Sequence, residues 1–566
     1  MDRAESTFQK VVDLKSAGPF LTMYALLGLG RCAFESRHYE QSIERYLHAL
    51  QSSRSLHAEP AEEAVLGNLG SSYFELGDFE KARKNSQDAE ILAERLHQTR
   101  DREKWLLDIG RAYYQTGQSG LAQEYYKKAL NLAHGLGDDE IAGKCLHNLA
   151  LMELTKGNLR SASSYHEQEK SLKLANGNLL DFKMDEANIA AAHSDWSTAE
   201  ETLFMLLSKT QEPARLAYLQ GRLAHVYAGQ HKNSEADQWF RQSIATMEDA
   251  ADKMKQIEFK IAMLDNWAIF DDYIAFLASQ NRPERALQVA QLARSRTLSK
   301  QLGLIPVKED ARLWVARIRA MLRARGAVIL AFYEADRDTY LWAITPLRLQ
   351  FTSLGVDRNE LETLADAYNE EIQQHSPLDA SPAEQRLYQI LIKPVRDLLP
   401  RGSHVILVAD SALYRINFES LISDDGPSHY WIKDAEIENA SSIDLLLAGR
   451  NRHRRGKGLL LIGAPDEVSP EFPPLPHASD EMESVQAHFS PAQVRKFSGS
   501  AATPEAFKTS NPGQFRFIEF ATHGTASPSD PLDSNIILSR GPQGSFQLSS
   551  RDIINGKFKL NAELVT

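Results

Sequence analysis

Apolar and small residues recur through the first three hundred residues with a period of forty. A bulky aliphatic residue followed by Gly or Ala returns at each step, and a Gly-containing turn and further alanines follow it. The spacing predicts two helices per unit that cross closely at the small residue, with an aromatic side chain filling the gap. Since one helix pair cannot bury its apolar face alone, we expect the units to stack into a superhelix. The pairs are Leu29-Gly30, Leu69-Gly70, Ile109-Gly110, Leu149-Ala150 and Ile189-Ala190.

The pattern changes in the second half, where short apolar runs alternate with helical stretches. The first two runs flank Asp336-Arg337-Asp338, which predicts a hairpin, and the later ones are apolar enough for buried strands. Buried strands alternating with helices predict a mainly parallel sheet covered on both faces. We place the two domains at residues 1–304 and 305–566. The runs are residues 327–333, 339–344, 404–409, 459–463, 515–521 and 564–566.

Composition narrows the class of protein. A chain of 566 residues is too long for one core, and its net charge of −12 argues against direct nucleic-acid binding. No apolar stretch approaches the roughly 18 residues that a membrane span needs, and the N-terminus shows no secretory signal. Two cysteines suit a reducing compartment. We therefore expect a cytoplasmic protein that contacts neither membrane nor nucleic acid.

Cysteines and histidines in the repeats suggest no chemistry. Cys32 and Cys145 are expected to be small buried packing residues. The repeat histidines show no ligand spacing, which favours a solvated or packing role over metal binding. Phosphate-loop and dinucleotide fingerprints are also missing from the sequence, so we expect no metal and no cofactor. The histidines are His48, His134, His147, His166, His193 and His225.

One histidine stands where a parallel sheet would place functional groups. Residues 517–524 read Phe-Ile-Glu-Phe-Ala-Thr-His-Gly, a buried strand that delivers His523 to its C-terminal tip. An imidazole at such a tip is a candidate for proton transfer in catalysis. The backbone N–H of Gly524 is a candidate oxyanion donor, and a tight turn that needs glycine is an equally good account.

Three carboxylates are candidates for a pocket that takes a basic substrate side chain. Asp530 and Asp533 follow His523, and Asp410 stands at the tip of the run at 404–409. A carboxylate in such a pocket would pair with Arg or Lys. Ordinary turn or capping roles remain open for all three.

A family resemblance rests on several of these segments together. Residues 405–421, Val-Ile-Leu-Val-Ala-Asp-Ser-Ala-Leu-Tyr-Arg-Ile-Asn-Phe-Glu-Ser-Leu, resemble the signature of CHAT domains, although Asn417 stands at the family's proline. CHAT domains are caspase-like domains found fused to tetratricopeptide repeats, and the forty-residue units resemble a long variety of those repeats. The match continues in register at residues 460–465, 475–478, 520–524 and 530–534.

The resemblance implies an α-solenoid of tetratricopeptide repeats followed by a caspase-like α/β domain. It implies a cysteine endopeptidase in bacterial stress or defence signalling, with His523 catalytic and with a protein or peptide partner bound by the repeats. The family's nucleophile lies in a Ser-Ala-Cys segment shortly after the strand that begins at 562–566. We therefore expect a chain that is truncated before that cysteine and inactive alone. An inactive interaction scaffold is the alternative, and a pure repeat adaptor is a third interpretation.

Overall fold

A computed structural model of the protein describes most of the chain in two compact units. The units are Met1–Leu447 and Ala448–Thr566, and each is treated separately. The predicted domain boundary at 304/305 lies outside the described residues. The described residues are 2–14, 16–173, 176–254, 268–301, 310–374, 381–424, 426–448, 457–466, 468–525, 534–542, 544–556, 560 and 562–566.

The first unit begins with a series of antiparallel helices. Alternate helices begin forty residues apart at first: α2, α4, α6 and α8 begin at residues 19, 59, 99 and 139. This confirms the predicted helical repeats. The helices are α1 (Asp2–Asp13), α2 (Pro19–Glu35), α3 (Tyr39–Ser55), α4 (Glu59–Glu75), α5 (Phe79–Arg95), α6 (Thr99–Gln115), α7 (Ser119–Leu136), α8 (Asp139–Thr155), α9 (Leu159–Lys170), α10 (Asn176–Ala192), α11 (Trp196–Lys209), α12 (Pro213–Gly229), α13 (Asn233–Lys253), α14 (Ala268–Ser279) and α15 (Pro283–Gln301).

Small residues stand where the paired helices cross, as the sequence predicts. A Cβ added to Gly30 would lie 2.5 Å from the Tyr46 ring, and one added to Gly110 would lie 2.7 Å from the Tyr126 ring. The filling aromatic residue therefore follows the glycine on the next helix. The second helical repeat departs from this pattern, because Ser86 rather than an aromatic residue lies beside Gly70.

The turns inside the repeats also follow the predicted chemistry. Gly77 and Gly157 have φ values of 86° and 78°, a left-handed conformation that favours glycine. After Gly77, the Asp78 side chain accepts the N–H of Lys81 at 3.1 Å and caps α5. The glycine thus ends one helix and the aspartate starts the next.

The first unit continues into a five-stranded mixed sheet. Its order is β3-β2-β1-β4-β7, with β1, β4 and β7 parallel and β2 and β3 antiparallel. The predicted hairpin around 336–338 is confirmed as β1 and β2. The elements are α16 (Ala311–Arg325), β1 (Ala327–Glu334), β2 (Thr339–Ile344), β3 (Leu349–Ser353), α17 (Arg358–Gln373), α18 (Pro382–Leu391), β4 (Ser403–Val408), β5 (Ile422–Ser423), β6 (His429–Tyr430), β7 (Ala435–Asn439) and α19 (Ile443–Ala448).

The repeats and this sheet share one hydrophobic core. Every residue of β1 is buried, and alternate side chains point to opposite faces. Ile329 and Trp342 pack in one cluster with Phe240 and Leu287 from the repeat helices. Leu330 belongs to a second cluster formed with α17 and α18. The last repeats therefore cover one face of the sheet.

The second unit contains a four-stranded sheet that is parallel throughout. Its order is β14-β10-β8-β9, and a smaller antiparallel sheet of β11, β12 and β13 accompanies it. The elements are β8 (Leu459–Gly463), α20 (Ala478–Gln486), β9 (Val494–Ser498), α21 (Pro504–Thr509), β10 (Phe517–Ala521), β11 (Gly524–Thr525), β12 (Asn535–Ile537), β13 (Gln547–Ser549), α22 (Ser550–Asn555) and β14 (Leu564–Val565).

Candidate functional site

His523 lies just beyond the C-terminal end of β10, as the sequence predicts. The strand is central in its sheet, between β8 and β14, so the backbone that precedes the histidine is held on both sides. The carbonyl of His523 accepts the N–H of Ile537 at 2.9 Å, and the Thr522 hydroxyl donates to the Ile537 carbonyl. These contacts fix the position of the histidine backbone at the strand tip.

A carbonyl group sets the tautomer of the His523 ring. The Nε2 atom lies 2.7 Å from the carbonyl oxygen of Pro473. Because a carbonyl only accepts hydrogen bonds, Nε2 carries the hydrogen, and Nδ1 of the neutral ring remains as the basic nitrogen. The Phe472 ring lies 5.9 Å from the imidazole, centroid to centroid. The half-buried ring therefore has one nitrogen committed and one able to accept a proton.

The strand predicted after residue 562 lies beside the histidine strand. β14 pairs in parallel with β10, with Phe517 opposite Leu564 and Ile518 opposite Val565. The Thr566 carbonyl accepts the N–H of Phe520 at 2.7 Å. Parallel neighbours end at the same edge of a sheet, so the C-terminal end of β14 points toward the edge that carries His523.

Gly524 lies in the short strand β11, opposite Ile536 of β12. Its φ lies outside the left-handed region, and a Cβ added there would meet its nearest atom, the Asn535 carbonyl oxygen, at 3.8 Å. Neither backbone strain nor crowding therefore requires glycine at this position. The tight-turn account loses its support, and the oxyanion role remains a prediction.

Only one of the three candidate pocket carboxylates lies in the described part of the chain. Asp530 and Asp533 lie outside the described part of the chain. Asp410 belongs to the first unit, where its Oδ2 accepts the N–H of Glu334 at 2.9 Å and its Oδ1 lies 3.7 Å from Nε of Arg294. The Asp410 carboxylate thus has structural partners already.

Glu334, which the sequence analysis missed, is the buried acid of this region. Its carboxylate accepts the N–H groups of Ala412 and Leu413 at 3.2 and 3.1 Å. Burial, with a further contribution from Asp410, raises the pKa of Glu334 to about 8 against the pull of those two donors. Its position as the acidic last residue of an otherwise apolar strand is the sequence signal that could have identified Glu334.

Asp271 of α14 connects the repeats to the same end of the sheet. It accepts the Tyr333 hydroxyl at 2.7 Å and the N–H of Asp336 at 3.1 Å, and Arg358 lies 3.5 Å away. Burial raises the pKa of Asp271 to about 7, although the Arg358 charge opposes the shift. The end of β1 is therefore held by a polar network that reaches into the repeats.

The repeats also contain a group of side chains able to hold a metal ion. One ligand atom from each of His166, Glu169 and Asp185 lies within 4.8 Å of the other two. The His166 ring stacks on Phe182 with centroids 4.5 Å apart, which agrees with the packing role expected from the sequence. Ligand spacing was invisible in the sequence because Asp185 lies on a different helix.

Two further observations concern the whole chain. Among the described helices, none is both long and apolar enough to cross a bilayer. Both cysteines are buried thiols without a disulfide, Cys32 in α2 and Cys145 in α8. This agrees with the packing role expected for them.

Comparison with solved structures returns proteins of low sequence identity. BtubC (BKLC) from P. vanneervenii is 17% identical over 38% of this chain and 94% of its own, with a TM-score of 0.30. The apo quorum sensor NprR from B. thuringiensis is 18% identical over 52% and 82%, with a TM-score of 0.39. Aspartyl phosphate phosphatase F from Bacillus subtilis is 15% identical over 42% and 62%, with a TM-score of 0.38. No curated protein matches the chain.

Two family descriptions match different parts of the chain. The tetratricopeptide repeat description matches residues 61–134 and 101–173. The CHAT domain description matches residues 381–566, which implies a caspase-like peptidase fold for that part. The order of the two matches, repeats first and CHAT domain second, is that of a TPR–CHAT protein.

Proposed function

We propose that this protein is a caspase-like cysteine endopeptidase whose activity is regulated through its repeats. His523 is the catalytic imidazole, and the nucleophilic cysteine is carried by the polypeptide that continues from β14. The resemblance to CHAT proteins suggests a role in bacterial stress or defence signalling. We place the protein in the cytoplasm, in keeping with the free thiols of Cys32 and Cys145.

The observation that supports this proposal is the hydrogen bond that leaves Nδ1 of His523 unprotonated, together with the parallel strand β14 beside the histidine strand. With Nε2 donating to Pro473, Nδ1 is free to take the proton of a thiol. The neighbouring strand β14 leads toward the same edge of the sheet. A cysteine shortly after β14 would therefore approach Nδ1, which is the arrangement that a His-Cys dyad requires.

The proposed reaction follows from these positions. The thiolate attacks the carbonyl carbon of the scissile peptide, and the carbonyl oxygen becomes an oxyanion beside the Gly524 N–H. The protonated imidazole then gives its proton to the leaving amine as the C–N bond breaks. Water hydrolyses the resulting thioester, with Nδ1 as the base, and this step regenerates the thiol.

Regulation by the repeats is supported by the core that they share with the first sheet. A peptide or protein bound along the repeats would act on helices that pack directly against β1 and β2. The Asp271 and Arg294 contacts reach the end of β1 and Asp410. We infer that the partner of the repeats changes the position of this strand end.

An inactive interaction scaffold is the second candidate function. It is favoured by one observation, which is the match of residues 61–134 and 101–173 to tetratricopeptide repeats, because stacked helical repeats form extended binding surfaces. In that case the repeats would supply the whole function by binding a protein partner.

The test uses the protein expressed from its entire coding frame. Protein is incubated with a proteome-derived peptide library, with and without lysate of the native host, and new N-termini are identified by mass spectrometry. We expect cleavage that falls by about 10³-fold or more in His523→Ala, since the imidazole has no substitute. His488→Ala, at an exposed histidine of the same unit, is the matched control and should cleave normally. Cleavage that survives in His523→Ala overturns the assignment, and a folded wild-type protein that cleaves nothing favours the scaffold.

A further inference from the structure

A polar cluster lies between the fourth and fifth helical repeats, and the proposed proteolysis uses none of its side chains. His147 comes from α8, His166 and Glu169 from α9, and Asp185 from α10. His166 and Glu169 are three residues apart and so share one face of α9. Three consecutive helices therefore direct four side chains capable of metal ligation to one place.

The distances in the cluster are close to those around a metal ion. Nδ1 of His166 lies 3.7 Å from Oε2 of Glu169. One ring nitrogen of His166, one carboxylate oxygen of Glu169 and one of Asp185 all lie within 4.8 Å of one another. Ligand atoms around a tetrahedral Zn²⁺ lie about 3.4 Å apart, given metal–ligand distances of about 2.0–2.2 Å. A small contraction would bring the three side chains onto one ion.

Burying the Glu169 and Asp185 carboxylates as anions costs free energy unless a positive charge or hydrogen-bond donors compensate them. Glu169 and Asp185 are both 0% exposed. Within the described part of the chain, none of their four carboxylate oxygens accepts a hydrogen bond. A buried carboxylate is ordinarily satisfied by several donors or by a cation, so two such groups side by side need a positive charge.

His147 and His166 balance the negative charge of the two carboxylates only in part. His147 Nδ1 lies 2.9 Å from Oδ1 of Asp185, so this histidine can offset the charge of one carboxylate. Balancing both carboxylates with imidazolium would require two protonated histidines, which are themselves only 16% and 13% exposed. A divalent cation would supply two positive charges at one point between the carboxylates.

We propose that His166, Glu169 and Asp185 form a binding site for a divalent transition-metal ion of the Zn²⁺ class. The donor set of one imidazole and two carboxylates suits such ions, and His147 is the residue that orients the Asp185 carboxylate. Three protein ligands leave one position for water. The partly exposed edges of the two histidine rings give the ion a route of entry.

A metal ion at this site would link two successive repeats. Its ligands come from the second helix of one repeat, α9, and the first helix of the next repeat, α10. An ion bound there would fix the angle between those two repeats and hence the curvature of the surface that the repeats offer to a partner. This inference concerns the repeats alone and does not depend on the proposed proteolysis.

Metal content of the full chain is the first measurement. Protein is stripped with a chelator, dialysed, and titrated with Zn²⁺ or Co²⁺, and bound metal is counted by mass spectrometry. We expect one ion per chain, a higher thermal unfolding midpoint with Zn²⁺, and the intense visible absorption of four-coordinate Co²⁺. Glu169→Gln and Asp185→Asn should each weaken Zn²⁺ binding by more than about 100-fold, and His147→Gln by about 10–100-fold, as a change to an orienting residue does.

Two variants keep the proposal open to refutation. Glu103→Gln removes another carboxylate that is 0% exposed in the repeats but lies outside the cluster, so it should bind Zn²⁺ normally. His166→Cys keeps a zinc ligand and should add a thiolate-to-Co²⁺ absorption band in the near ultraviolet. Wild-type protein that holds less than one ion, binding that persists unchanged in folded Asp185→Asn, or a His166→Cys spectrum without that band would each overturn the site and leave an ion-paired cluster.

Discussion

Arg294, on the last described helix of the repeats, forms an ion pair with Asp410, which follows β4 of the first sheet. The Nε atom lies 3.7 Å from Oδ1, and the two side chains are 6% and 19% exposed. The same guanidinium donates to the Phe332 carbonyl on β1. One cation thus joins a repeat helix to two strands, and its removal would leave a largely buried carboxylate without its partner.

Arg294→Met should therefore destabilise the first unit by about 3 kcal/mol, since an uncompensated buried charge costs more than the pair contributes. Chemical denaturation followed by near-ultraviolet circular dichroism measures the change. Lys253→Met is the control, because Lys253 and its partner Asp249 are 74% and 70% exposed, and it should cost less than about 1 kcal/mol. Equal losses in the two variants would show that the Arg294 pair is no more important than a surface pair.

The repeat crossings give a prediction about packing. Gly110→Ala places a Cβ 2.7 Å from the Tyr126 ring inside a core cluster, and the clash should cost about 1–3 kcal/mol. Gly135→Ala is the matched change, because it lies on the next helix with nothing within 4 Å of the new Cβ. Helix propensity should make that variant as stable as the wild type or more stable, by up to about 1 kcal/mol. Thermal unfolding of both variants tests the prediction, and a stable Gly110→Ala would contradict it.

Features that recur at a fixed spacing, or that show their own burial, could be predicted from the sequence. Gly30 and Gly110 repeat at a fixed step, and an apolar run such as β10 shows its own burial, so the solenoid, the strands and the place of His523 were predictable. The Arg294–Asp410 pair joins residues more than a hundred positions apart. No local pattern reports such a contact.

The same limit applies to the metal-ligand cluster. His166 and Glu169 share a helix face, but Asp185 joins them only because two helices pack. The sheet of the first unit shows a further limit. It is mixed because β2 and β3 add antiparallel pairs, and alternation of strands and helices cannot specify which edge they join.

A buried glutamate at the start of α18 predicts a pH dependence of stability. Glu384 is 2% exposed, and burial, together with the charge of Glu371, raises its pKa to about 7. An unfolded glutamate has a pKa of about 4.3, so the folded state holds this proton more tightly. The stabilisation is complete below about pH 4.3 and is lost as the pH rises through about 7.

Glu384→Gln should therefore be about 3–4 kcal/mol more stable than the wild type at pH 8.5 and no more stable at pH 4. Denaturation midpoints measured across that range test the prediction. Glu362→Gln, at an exposed position on α17, should leave the pH profile unchanged. A wild-type profile that runs parallel to that of Glu384→Gln would contradict the assignment.

Cys145 is predicted to be unreactive in the folded protein and so not to be the nucleophile. The thiol is fully buried in α8, and burial, with a smaller contribution from Glu103, raises its pKa well above the usual value. Because only the thiolate reacts, iodoacetamide should label Cys145 at least about 100-fold more slowly in the native protein than in urea. Cys145→Ala should likewise leave any proteolysis by the protein from the whole coding frame intact. Rapid native labelling, or loss of cleavage in a folded Cys145→Ala variant, would move the chemistry into the repeats and exclude a dyad built on His523 and the strand beside it.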